Sequence, residues 1–369
     1  MTFFCSLPFT TVDITWDQKV RPCCKFAPGI PIKSYFSSDA IRKVKQQLLD
    51  NIPPPQCQRC VTEEALTGHS MRVMTDPDKT REAEIRAANS ADYFNITEAL
   101  ILTSNTCNLL CLPCRGNSYI RDIELSKIGL SKQIPLPQTS TICIDDIPNI
   151  DNLARVTLLG GEPFADRQTA ALIDQLITSG LSQQIQIDLN TNLTLITRPV
   201  LLKLKENFKH VLIKGSIDGV GEFNDYLRYP SKWQQMTDAV TLIKELDMAM
   251  VIITTISNLS LIHYDDMIRW AEKNNIIDIF VAKVMEPKEL QCDRLPAALK
   301  QQLLKKYTSL LESYTGIDRT RFLIQTCIKI CSTPGCTDEE FTATHEWLTR
   351  HDQHRGTDYT ALWPEFLND

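Results

Sequence analysis

Apolar residues along this chain fall into two alternating registers. Short runs rich in aliphatic and β-branched residues, at 99–103 (ALILT), 155–159 (RVTLL), 184–189, 211–217, 250–256 and 277–285, read as strands. Between them lie stretches whose apolar positions recur every three or four residues, at 167–179, 199–207, 232–246 and 264–274, and these read as amphipathic helices. Six strands alternating with helices predict parallel βαβ units with right-handed crossovers. Polar or Gly-rich residues follow each strand, and in parallel barrels that C-terminal rim carries the chemistry. The expected fold class is therefore α/β, a partial (β/α)6 barrel over residues 98–290, with an open doubly wound sheet as the alternative. A small Cys-rich module (1–75), a charged connector (76–97) and a mainly helical C-terminal extension (291–369) complete the expected organisation.

Composition narrows the function classes. The 369 residues carry 43% hydrophobic and 23% charged side chains, ordinary globular values, and a net charge of −6. Nucleic acid is not an expected partner, because phosphate neutralisation needs clustered Lys and Arg. The basic stretch at 203–209 is punctuated by Leu and Glu and reads as a solvated helix face. The first twenty residues show neither a basic n-region nor an apolar h-region. No apolar run reaches the ~18 residues that span a bilayer. A cytoplasmic protein without membrane contact is expected. In that compartment thiols stay reduced, so the 13 cysteines point to metal or cluster ligation rather than to disulfides.

Cys107, Cys111 and Cys114 follow the first strand at intervals of four and three. On a helix they would share one face as a buried stripe, since free Cys packs as a small hydrophobe. Pro113 opposes that reading, because proline inside a helix costs ~3 kcal/mol. A loop wrapped around an ion or cluster fits better. Structural zinc normally takes four ligands in paired short spacings, whereas three close thiolates leave one metal position open. The pattern resembles the radical S-adenosylmethionine (SAM) superfamily, whose hallmark is C-x3-C-x2-C after the first barrel strand.

That resemblance implies a 4Fe–4S cluster held by Cys107, Cys111 and Cys114, with the fourth iron free to chelate SAM. It also implies reductive cleavage of SAM to a 5′-deoxyadenosyl radical that abstracts hydrogen from a substrate. Gly160, Gly161, Glu162 and Pro163, after the second strand, look like the family's GGEP motif, which receives the cofactor's ammonium group. Glycine there lets backbone approach a ligand closely; the alternative is a plain turn. Ser216 and Asp218 stand where the family binds the cofactor ribose, or else they cap the next helix. Asn190 and Asn192 are expected to face the rim and contact cofactor or substrate. Arg228 falls where related enzymes pair an arginine with the cofactor carboxylate, as a planar guanidinium allows; the alternative is a surface arginine. Thr255, Ser257, Val284 and Met285 are weaker candidates for adenine contact.

Cys5, Cys23, Cys24, Cys57 and Cys60 surround an expected hairpin, with alternation at 11–15, a turn at Asp17 and Gln18, and a return at 19–21. This stretch resembles the auxiliary-cluster modules called SPASM and twitch domains, here placed before the barrel rather than after it. The resemblance implies one auxiliary cluster, with either Cys23 or Cys24 spare; a zinc-ribbon-like site is the alternative. Cys327 and Cys331 read as core residues on one helix face in preference to a second auxiliary site with Cys336. Cys143 and Cys292 stand alone, and either is a possible hydrogen-atom donor to a substrate radical. His351 and His354, in RHDQHRG, read as a solvated tail. The resemblance implies a peptide or protein substrate and a low-potential electron donor such as flavodoxin or ferredoxin. Radical chemistry on a small metabolite or nucleotide, and a non-catalytic iron–sulfur electron carrier, are the rival functions.

Overall fold

The computed structural model describes residues 3–67, 70–76, 78–114, 118–132, 144 and 147–367. Nine strands occur among them: β1 (Thr11–Ile14), β2 (Lys19–Arg21), β3 (Ile30–Pro31), β4 (Glu98–Leu102), β5 (Arg155–Leu159), β6 (Gln186–Thr191), β7 (His210–Ser216), β8 (Ala249–Ile256) and β9 (Ile279–Lys283). The chain divides into two compact units. One holds Met1–Asn105, Pro137–Leu189 and Lys203–Val211; the other holds Thr106–Leu136, Asn190–Leu202 and Leu212–Asp369.

In the first unit β4, β5 and β6 pair in parallel, each beside its predecessor. Helix Arg167–Thr178 lies between β5 and β6 in the chain and buries Thr169, Leu172, Ile173 and Leu176, the three-to-four spacing of one helix face. Asp166 caps it by accepting from the Gln168 N–H at 3.0 Å. The expected hairpin forms from β1 and β2, with Asp13 opposite Arg21, and an ion pair at 2.9 Å joins the two. β1 also pairs in parallel with β4, Thr11 opposite Glu98. The Cys-rich segment is thus joined to β4 by backbone hydrogen bonds.

In the second unit β7, β8 and β9 are likewise consecutive and parallel. Neither run of strands contains the reversal of order that marks a doubly wound sheet. Helix Trp233–Glu245 buries Met236, Ala239, Val240 and Ile243 and packs on β8. The expected α/β alternation is present, with no strand end shifted by more than two residues.

The C-terminal extension is helical, as expected: Ala297–Ser313, Asp318–Cys331 and Asp338–Arg355. Cys327 and Cys331 lie buried in the second of these beside Leu323, Ile324 and Ile330, as core residues should. Cys336 is half-buried, and Cys143 lies outside the described residues. No helix among the described residues is long and apolar enough to cross a membrane.

The tail reading of the two histidines needs correction. Both lie on helix Asp338–Arg355; His354 is exposed, but His351 is fully buried, its Nδ1 donating to the Trp347 carbonyl at 2.7 Å. One helical turn decides which residue of so polar a stretch turns inward. Burial pushes the His351 pKa down to about 3, and nearby Arg121 and Arg355 act in the same direction. The unfolded chain therefore takes up a proton below about pH 6.5 that the folded chain refuses, and stability falls as pH falls. Between pH 7 and pH 5 this loss is about 2 kcal/mol. Urea unfolding at both pH values is expected to show an acid-induced loss smaller by about that amount in His351→Gln than in the wild type; an equal loss in both would place the proton uptake elsewhere.

Candidate functional site

The cysteine segment belongs to the second unit and leaves β4 as an irregular loop, not a helix. Leu109 and Leu112 are its buried anchors, while Cys107, Cys111 and Cys114 are only half-buried. The loop thus buries Leu109 and Leu112 and leaves its three cysteines half-buried, unlike a fully buried cysteine stripe. Two backbone hydrogen bonds fix it: Leu110 N–H to the Tyr229 carbonyl at 2.6 Å and Leu112 N–H to the Leu227 carbonyl at 2.8 Å. A turn closes Cys114 N–H onto the Cys111 carbonyl at 3.1 Å, and the Leu109 N–H points at the Cys107 sulfur at 3.4 Å.

The loop carbonyls are claimed by arginines. Arg121 Nη2 donates to the Leu112 carbonyl at 3.1 Å, and Arg355 Nη2 donates to the Leu110 carbonyl. Glu124 joins the two guanidinium groups, pairing with Arg121 and accepting from Arg355 Nε at 2.7 Å and Nη2 at 2.8 Å. All three side chains are at most 2% exposed. Sequence reasoning missed this trio. Arg121 and Glu124 stand three apart on helix Tyr119–Lys127, a readable ion-pair spacing, but nothing in the sequence brings Arg355 to them.

Behind the loop, Asp218 and Arg228 form a buried ion pair at 2.9 Å, with side chains 2% and 12% exposed. Arg228 is therefore not a surface residue. Asp218 Oδ1 accepts from the Thr255 N–H at 2.8 Å, which ties the ends of β7 and β8 together. Burial pushes the Cys111 thiol up; Arg228, Arg121 and Arg355 oppose this, and Asp218 adds to it. At the end of β6, Asn192 donates to Asn108 at 2.9 Å, so this residue touches the cysteine loop. Ser216 ends β7 half-buried, and Asn190 Oδ1 is buried without a partner among the described residues. Ser257 caps the short helix Asn258–Ile262. Val284, Met285 and Cys292 line a cavity of about 520 Å³ with Lys283 and Asp293.

In the first unit the glycine pair sits at the end of β5. Gly160 has φ +149, and a Cβ there would lie 2.5 Å from the Ser104 carbonyl oxygen. Gly161 N–H donates to that same oxygen at 3.0 Å. Glycine is thus required by contact with the end of β4. Glu162 is 1% exposed and accepts from the Phe164 N–H at 3.2 Å, with Pro163 starting the following turn.

Also in the first unit, Cys5, Cys23, Cys57 and Cys60 line one cavity with Phe26, Val44, Lys25 and Arg72. Cys24 does not line it; its exposed sulfur lies 3.8 Å from the Met71 sulfur. Burial pushes up the thiols of Cys5, Cys23 (to about 11) and Cys57 (to about 12), and repulsion among the neighbouring cysteines adds to it. Such thiols ionise only when a cation compensates them.

A cluster fits both cysteine sets on the chemistry of the donors. Around the loop, buried N–H groups Arg121 Nε, Arg228 Nε and Arg355 Nη1 have no partner among the described residues, as suits an anionic group with sulfur acceptors. Among the described residues no three His, Cys, Asp or Glu side chains converge as ligands of one ion would.

Residues 101–271 match the family model of the Radical SAM superfamily. The match takes in just under half of the chain, and over that stretch the chain is similar to the superfamily. The matched stretch runs from β4 to helix Tyr264–Lys273. It includes the cysteine loop, the glycine pair, Asn192, Ser216, Asp218 and Arg228, and leaves out the N-terminal cysteines and the C-terminal helices. An uncharacterized protein of Methanocaldococcus jannaschii is 26% identical over 177 residues, 46% of this chain and 57% of that one. Among solved structures, native anSMEcpe with bound AdoMet is 17% identical, with 58% of this chain and 61% of that chain covered at a TM-score of 0.45. Streptococcus suis SuiB bound to precursor peptide SuiA is 14% identical, with coverages of 74% and 63% and a TM-score of 0.41. The chain thus spans less than two thirds of the length of each.

The contact at Gly160 makes a stability forecast. Gly160→Ala combines a disfavoured φ with a clash against backbone and should cost about 1–3 kcal/mol. Gly180→Ala, at φ +79 with open space around it, should cost about 1 kcal/mol or less. Chemical denaturation of the two variants checks the order; equal losses would mean that the Ser104 contact relaxes freely.

Proposed function

We propose that this protein reductively cleaves S-adenosylmethionine and uses the resulting radical to take hydrogen from a substrate. The observation that carries this reading is the half-buried three-cysteine loop beside three buried arginines, each with an N–H group that has no partner among the described residues. Cys107, Cys111 and Cys114 would hold three irons of a 4Fe–4S cluster, leaving the fourth for SAM. When bound, that cluster supplies one electron to the sulfonium, and 5′-deoxyadenosyl radical chemistry follows. The chain's own part is placement. Glu162, fixed on the tight turn at Gly160, is assigned to the ammonium group of SAM. Arg228 is assigned to its carboxylate, sharing its charge with Asp218, and Ser216 and Asn192 to its ribose and the nearby rim.

The N-terminal cysteines are assigned to one auxiliary cluster, with Cys5, Cys23, Cys57 and Cys60 as its four ligands and Cys24 spare. The shared cavity supports this choice between Cys23 and Cys24. With all four irons ligated by protein, the auxiliary cluster would transfer electrons rather than bind substrate. A peptide or protein substrate, a flavodoxin- or ferredoxin-like donor and a cytoplasmic location complete the proposal. They rest on the likeness of residues 1–75 to twitch modules, and the location on a cysteine content suited to a compartment that keeps thiols reduced.

Anaerobically reconstituted protein with dithionite is expected to convert SAM to 5′-deoxyadenosine and methionine, measured by chromatography. The Cys107→Ala, Cys111→Ala, Cys114→Ala variant should lose that conversion. Undiminished cleavage would exclude this loop, and an iron-loaded wild type that never cleaves SAM would favour an electron carrier. Iron analysis separates the two cysteine sets. The wild type should hold about eight irons and the triple variant about four. Cys23→Ser should lose about four and Cys24→Ser none; the reverse result would exchange their roles.

A further inference from the structure

The trio Arg121, Glu124 and Arg355 is more than the cysteine loop needs for mechanical support. Two guanidinium groups and one carboxylate leave one net positive charge, buried where none of the three side chains exceeds 2% exposure. Burial without full pairing opposes folding, and apolar residues of similar volume usually replace such groups without loss of stability. Two N–H groups of the trio, Arg121 Nε and Arg355 Nη1, are buried with no partner among the described residues. Both arginines are also anchored on the loop itself, at the carbonyls of Leu112 and Leu110, and Arg355 lies over the Tyr229 ring at 4.9 Å. Arg121 and Arg355 both bear electrostatically on Cys111.

We propose that Arg121 and Arg355 are positioning residues whose net charge, trimmed by Glu124, sets the reduction potential of the group held by Cys107, Cys111 and Cys114. The C-terminal helix Asp338–Arg355, outside the matched family region, is thereby part of that site. This inference rests on the cluster assignment made above. Three thiolates on a cubane make the centre anionic, and one electron from a low-potential donor makes it more so. A guanidinium keeps its proton throughout, so its fixed charge and N–H donors favour the reduced form more than the oxidised one. Arg228 contributes less, because Asp218 neutralises it at 2.9 Å.

The charge count gives the test a sign in each direction. Arg355→Gln keeps a donor but removes one positive charge, and the midpoint potential should move more negative. Glu124→Gln keeps shape and adds one net positive charge, so the potential should move more positive. Arg355→Lys restores the charge and should return most of the way to wild type. The measurement is an anaerobic redox titration of the full-length reconstituted protein followed by electron paramagnetic resonance. The cluster of interest is the one whose signal changes on adding SAM. Opposite shifts in Arg355→Gln and Glu124→Gln, with iron content retained, support the inference. Loss of iron or stability with the remaining cluster at the wild-type potential would mean a structural role only and overturn it. Shifts of the same sign in both variants would overturn it as well. A wild-type protein that assembles no SAM-responsive cluster overturns the proposed function and this inference together, whereas an unmoved potential in both variants overturns this inference alone.

Discussion

The loop at residues 106–114 has no regular structure of its own, and the chemistry assigned to this protein depends on where it is held. Its backbone is fixed on both sides. Amide groups of Leu110 and Leu112 donate to the carbonyls of residues 229 and 227, and carbonyls of the same two leucines accept from Arg355 and Arg121. Saturating the backbone polar groups of Leu110 and Leu112 fixes the loop on either side of Cys111 without using its thiol. A cluster loop needs this division of labour. Ligands must be presented before the metal arrives, and a backbone already paired does not rearrange to reach it.

The arginines that hold the loop also set its electrostatics. Arg228 is neutralised by Asp218, which in turn binds the Thr255 amide and so couples β7 to β8. Arg121 and Arg355 share a single carboxylate. Loop support, strand alignment and local charge are therefore carried by five side chains in one unit. A substitution among them changes several properties at once, which is why single losses of activity would say little about any one role.

The N-terminal cysteines follow a different logic. Their hairpin is paired to β4, so Cys5 and Cys23 are placed by sheet register, while Cys57 and Cys60 come from the turn and helix that follow Pro54 and Pro55. The cavity they line is largely apolar, burial there raises the thiol pKa values of Cys5, Cys23 and Cys57, and Lys25 and Arg72 stand at its wall. Thiols raised in this way ionise only when a cation compensates them.

Periodicity alone determined the alternation of strands and helices, because burying one face of each element imposes spacings of two and three to four that are written locally. The cysteine loop and the glycine pair were legible for a similar reason: their ligand spacing and turn geometry are set within a few residues. That Cys23 and not Cys24 would line the N-terminal cavity was not, since adjacent residues have the same local signal. Nor was the fate of the C-terminal stretch around residues 351–355, polar in composition, where the helix turns His351 and Arg355 inward. Arg355 reaches a loop more than two hundred residues earlier, and a contact between such distant positions leaves no trace in local pattern. It exists because Glu124 and the Leu110 carbonyl offer buried acceptors that only a folded chain can bring to it.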